Sequence, residues 1–105
     1  MLKCVFRLGE FENVKSFSGF EISGHAGYGT AGNDIVCAAV SSCTMLVCNC
    51  ITENFGAKAK VDVGENRIVL RIEEPNEAAV KLLSAFYEHL ETISEDHKNV
   101  KLTII

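Results

Sequence analysis

Between Ile35 and Thr52 the chain carries no charged residue. A segment this long and apolar either crosses a bilayer or is buried in protein. Ser41, Ser42, Thr44, Asn49 and Thr52 interrupt the run, and the flanking sequence reads as ordinary globular elements, so no membrane span is expected. The segment is expected to be a buried helix from Ile35 to about Phe55, stopped by Gly56. A chain of 105 residues makes one domain, 1–105, that buries about two-thirds of its extended surface. Such a domain is thin. Burying this helix on every side needs a sheet on one face and a second subunit on another, so a homodimer is expected.

The rest of the chain supplies the sheet. Leu2, Cys4, Phe6 and Leu8 alternate with Lys3, Val5 and Arg7, the period of a half-buried strand. A second strand covers Val14 to Ser23 with Phe20 and Ile22 inward, joined to the first by a turn over Gly9 to Asn13. Gly24 to Asp34 holds four glycines besides its other residues in a stretch without apolar periodicity, and is read as loop. Ala57, Ala59, Val61 and Val63, then Ile68, Leu70 and Ile72, alternate on either side of a short Gly64-Glu65-Asn66 turn. Pro75 opens a second helix, in which Val80, Leu83, Phe86, Tyr87, Leu90 and Ile93 recur at helical spacing up to about Glu95. Val100, Leu102 and Ile104 form a last strand. The order ββαββαβ predicts an α/β (α+β) sandwich, a mostly antiparallel sheet covered by two helices.

Charge and cysteines narrow the function. With 48% hydrophobic and 23% charged residues and one proline, the chain is globular and not disordered. Ten Lys+Arg stand against fourteen Asp+Glu, a net charge of −4. A free-standing nucleic-acid binder draws much of its affinity from neutralising phosphates, so no direct nucleic-acid partner is expected. The N-terminal Met1-Leu2-Lys3-Cys4-Val5-Phe6-Arg7 lacks the apolar core of a signal peptide. A cytoplasmic chain with reduced thiols is the expectation. The five cysteines then act as packing, ligand or nucleophile.

A metal site is not expected. On one helix Cys37 and Cys48 share a face but lie about 16 Å apart along the axis, and Cys43 and Cys50 lie about 10 Å apart. They do not converge on one ion. Cys4, Cys43, Cys48 and Cys50 read as small buried hydrophobes, and His89 and His97 as ordinary surface residues.

The stretch from Gly24 to Ser41 carries the chemistry. Gly27-Tyr28-Gly29-Thr30-Ala31-Gly32 matches G-x-G-x-x-G between a strand and a helix, which keeps nucleotide binding as one reading. Against it, Asp34 sets a carboxylate where a pyrophosphate needs bare amides. The other reading is a cysteine nucleophile. Asp34 is a good N-cap for a helix starting at Ile35. Cys37 then lies in the first turn, where the helix dipole favours a thiolate. Asp34 opposes that effect with its own charge, and His25 is the local partner that can form a thiolate–imidazolium pair. Backbone amides at the helix start can hold an oxyanion.

Gly24-His25-Ala26, followed after a glycine-rich loop by Asp34-Ile35-Val36-Cys37-Ala38-Ala39-Val40-Ser41, resembles the hallmark of the ribosomal-processing cysteine proteases of Firmicutes and related bacteria. The ββαββαβ order fits the same family along the whole chain. The resemblance implies a cytoplasmic, dimeric endopeptidase without a cofactor. Its implied substrate is the N-terminal segment of a large-subunit ribosomal protein, a short extension that is removed. It assigns Cys37 as nucleophile and His25 as general base. Asp34 and Ser41 take supporting roles, and Gly27, Gly29 and Gly32 belong to a loop that closes over the substrate. Two other classes of function stay open here. They are a non-catalytic ribosome-assembly module that binds a ribosomal protein tail, and a nucleotide-binding module using the glycine-rich loop.

Overall fold

A computed structural model describes residues 1–24 and 34–105. The element order is β1 (Leu2–Phe11), β2 (Val14–Gly24), α1 (Ile35–Asn49) continued by a π-helical turn (Cys50–Asn54), β3 (Lys58–Gly64), β4 (Arg67–Glu74), α2 (Glu77–Asp96) and β5 (Val100–Ile104). The strands form one sheet in the order β3-β4-β2-β1-β5. Only the β1–β5 pair is parallel; the others are antiparallel. The result is the expected α+β arrangement, a mixed sheet with a layer of two helices.

Alternation along the strands decides which face is buried. Leu2, Cys4 and Phe6 of β1, Phe20 and Ile22 of β2, Leu70 of β4 and Val100 of β5 point into one core. The buried positions of α2, namely Ala79, Leu83, Phe86 and Leu90, close it at spacings of three and four residues. Phe6 is the centre of an aromatic cluster, 5.6 Å from Phe86 and 5.3 Å from Tyr87 between ring centroids.

Several boundaries differ from the sequence reading for local reasons. β1 continues through Gly9 to Phe11, and the turn is the two residues Glu12 and Asn13, with φ of 51° and 66°. Positive φ at both positions gives the backbone twist that suits a two-residue hairpin. Ser18 is an extra residue between Arg7 and Leu8 of the facing strand, a bulge that resets which residues of β2 face inward. The second helix begins after Pro75. Asn76 is its N-cap, accepting from the Ala79 N–H at 2.9 Å while its Nδ2 donates to the Phe55 carbonyl at 2.9 Å. One side chain therefore ties the end of the first helical stretch to the start of the next.

Within this one chain α1 is buried on one side. Val40, Thr44, Val47, Cys48 and, in the π-turn, Ile51 are buried, and the Thr44 hydroxyl satisfies itself on the Val40 carbonyl at 2.6 Å. The opposite face is open. Ile35 is 82% exposed and Leu46 64%. The span Ile35–Asn54 is long and apolar enough to cross a membrane by length and composition. It nevertheless contributes one side to the domain core. The stop is where the sequence puts it: Phe55 N–H bonds to the Cys50 carbonyl, and Gly56 takes φ 66°.

Candidate active site

β2 and α1 flank the candidate site along the chain. β2 ends at Gly24, whose N–H donates to the Asn66 carbonyl at 3.0 Å. Gly24 has φ 86°, and a Cβ there would run into the Met1 carbonyl oxygen. Both facts call for glycine, so this position belongs to the strand end and not to the loop. His25 is the next residue. It lies outside the described residues, as do Gly27, Gly29 and Gly32.

The helix side of the site is described from Asp34 onward. Asp34 has the extended backbone of an N-cap, φ −81° and ψ 99°, and its carboxylate accepts from the Cys37 N–H at 3.0 Å. Its carbonyl accepts from the Ala38 N–H at 3.0 Å, the first bond of the helical ladder. Asp34 is nearly buried. Cys37 is the third residue of α1 and half-buried. Ser41 follows one turn later on the same side of the helix and is exposed.

This capping has two chemical consequences. The carboxylate occupies an amide that a bound phosphate would need, which counts against a nucleotide at this helix start. It also engages the nucleophile candidate's own N–H. The amides of the first turn of α1 that lie beyond the reach of any intrahelical carbonyl and are not engaged by this carboxylate are those of Ile35 and Val36.

All five cysteines are thiols. Burial pushes the Cys4 and Cys48 thiols up to about 11, so both stay protonated at neutral pH and inert as nucleophiles. Cys43 and Cys50 correct the reading of uniformly buried packing residues, because both are half-exposed. Cys43 Sγ lies 3.6 Å from His89 Nε2 on α2. Sequence reasoning missed this contact, since the two residues are 46 apart and only the packing of α1 on α2 brings them together. Cys43 sits in mid-helix, where the surrounding amides are committed to the ladder, so it has no helix-start donors for an oxyanion. Among the described residues no three His, Cys, Asp or Glu side chains gather as a metal set.

Comparison with known proteins adds an independent line of evidence. A sequence model of the family described as cysteine protease Prp matches residues 1–101. The ribosomal processing cysteine protease Prp of Bacillus subtilis (strain 168) is 30% identical over 97 residues, which cover 85% of this chain and 87% of that protein. The fold is similar to crystal structures of the ribosomal processing protease Prp from S. aureus. One holds a covalently linked product peptide, with a TM-score of 0.88 and 23% identity, and another a substrate peptide, with a TM-score of 0.84 and 21% identity; each match covers both chains fully.

Proposed function

The chain belongs to the cysteine protease Prp family, and from that membership we propose an endopeptidase that removes the short N-terminal extension of a bacterial large-subunit ribosomal protein. The observation that supports the assignment of its nucleophile is Cys37 in the first turn of α1, beneath the Asp34 cap. In this reading His25 takes the Cys37 proton, and the thiolate attacks the scissile carbonyl carbon. The oxyanion of the tetrahedral intermediate is held by amides at the helix start. Collapse breaks the C–N bond, the imidazolium gives its proton to the leaving amine, and a thioester remains. Water, deprotonated by His25, attacks the thioester; its collapse releases the carboxylate, and the proton returns to Cys37.

Asp34 supports the site by fixing the first turn, and Ser41 by lining the side of α1 next to Cys37. Gly27, Gly29 and Gly32 belong to the segment that engages the substrate peptide in this reading. The enzyme works in the cytoplasm without a cofactor. It works as a homodimer, a reading supported by the open apolar face of α1 at Ile35, Met45 and Leu46.

Incubating the unprocessed ribosomal protein with this enzyme tests the function. Intact mass is expected to show one defined N-terminal loss with the parent and none with Cys37→Ala or His25→Ala. Cleavage by either variant would refute the nucleophile and base. No cleavage by the folded parent would refute the substrate.

A further inference from the structure

Among the described elements no helix covers the side of the sheet turned away from α1 and α2, and the strand register fixes what stands there. Lys3, Val5 and Arg7 of β1 lie beside Ser23, Glu21 and Gly19 of β2, and these beside Arg67, Val69 and Arg71 of β4. Asp62 and Lys60 of β3 continue the rows at one edge, and Thr103 and Lys101 of β5 at the other. The cations therefore fall into two rows across the strands, Lys101–Lys3–Arg67 and Arg7–Arg71–Lys60. The rows lie four positions apart along β1, about 13 Å.

All six of these cations are exposed. Three carboxylates stand among them. Glu21 binds Arg67 at 2.8 Å, Glu73 is 3.9 Å from Lys60, and Asp62 acts on Arg67 from β3. The face is thus net positive on a chain whose net charge is −4. Averaging over the whole surface hides this segregation, because acids such as Glu77, Glu88, Glu91 and Glu95 sit on α2, on the other side of the sheet.

Arg7 and Arg71 make no ion pair among the described residues. They flank Gly19 in register, and with no side chain at Gly19 a cleft of about 100 Å³ opens between them, lined also by Val5, Val69, Ile105 and Glu21, whose carboxylate is engaged by Arg67 at 2.8 Å. Glycine is required there, since a Cβ would run into the Leu70 carbonyl oxygen. Two guanidinium groups at the walls of one cleft suit a phosphate, which Arg engages through paired N–H donors.

We propose that this face binds the phosphate backbone of RNA, with Arg7 and Arg71 as its central contacts. The composition favours RNA over an acidic protein. A protein interface is anchored by large apolar or aromatic side chains at its centre, and this face offers half-buried Val5 and Val69 and, from the chain after β5, Ile105. Phosphate contacts need separated cations and no such anchor. No aromatic side chain stands in these rows to stack a base, so the binding is independent of sequence. The Lys101–Lys3–Arg67 row borders the strand end at Gly24 that leads into His25. On the ribosomal-substrate reading above, docking on RNA brings that end of the sheet to its substrate, but the binding itself does not depend on that reading.

Fluorescence anisotropy of a labelled RNA hairpin tests this with the full chain. Binding is expected to weaken with salt, with log K falling by about 0.7–0.9 per phosphate for each unit of log salt. R7Q/R71Q is expected to lower low-salt affinity at least tenfold and to reduce that slope by about 2, with an unchanged melting curve. K15Q/K81Q, away from this face, should bind like the parent. Should R7Q/R71Q fail to fold, K3Q/K101Q on the other row reads the same quantity. Salt-independent or absent binding by the parent, equal binding by the row variants, or competition by polyglutamate as strong as that by RNA would overturn the proposal. The last result would assign the face to an acidic protein.

Discussion

Asp34 and Cys37 illustrate two demands on one helix start. The cap needs an acceptor for the Cys37 N–H, which the carboxylate provides at 3.0 Å. A reactive thiolate benefits from the positive end of the helix dipole, which the same carboxylate offsets. Asp34→Ala is therefore expected to lower stability by about 1 kcal/mol in urea unfolding. Asp34→Asn keeps the acceptor without the charge and should retain stability while Cys37 alkylates faster at neutral pH. Slower alkylation in Asp34→Asn would mean that the carboxylate helps orient the site. The cap and the first-turn position of Cys37 were legible in the sequence because both follow from local backbone rules. The contact of Cys43 with His89 was not, because no local rule relates residues on two helices. The buried thiols add a dependence on pH. Cys4 and Cys48 ionise at about 11 when folded, against an ordinary value of 9.0. Their contribution is complete below pH 9 and is lost as pH rises towards 11. Melting temperature should fall across that window, and Cys4→Ala/Cys48→Ala should flatten the fall.

The elements that obey a simple period were the readable ones. β1 alternates from Leu2 to Arg7, although Leu8, expected inward, is exposed; β4 and β5 alternate more loosely, and α2 shows a clear apolar stripe. What escaped were features set by pairing between strands. The Ser18 bulge exists only relative to β1, and the Glu12-Asn13 turn uses positive φ at a glutamate, which the reading of a turn over Gly9 to Asn13 overlooked. Pro75 pointed to the helix start, but Asn76 makes the cap. Asn76→Ala removes two hydrogen bonds, one capping α2 and one holding the Phe55 carbonyl. Urea unfolding should show a loss of about 1–2 kcal/mol. A loss near zero would mean that water replaces both.

Over the whole molecule the helical layer and the open sheet face are chemically distinct. The uncharged run of α1 was correctly read as part of the core, yet only one of its faces meets the sheet and α2. Burial on all sides was an expectation about an assembly, which one chain cannot fulfil. If the open face joins two copies, Leu46→Glu should shift sedimentation from dimer to monomer without lowering helix content. A dimer that persists would exclude this face as the interface. The charge of the sheet face was equally hidden, because a net value carries no position.

The most direct measurement is the rate of iodoacetamide labelling at each of the five cysteines near neutral pH, resolved by peptide mass spectrometry. Activation of Cys37 by His25 at the start of α1 predicts that Cys37 labels first, well ahead of Cys43 and Cys50, with Cys4 and Cys48 last, and that His25→Ala slows Cys37 alone. Fastest labelling at Cys43, slowed by His89→Ala, would contradict it and move the reactive pair to the interface of α1 and α2.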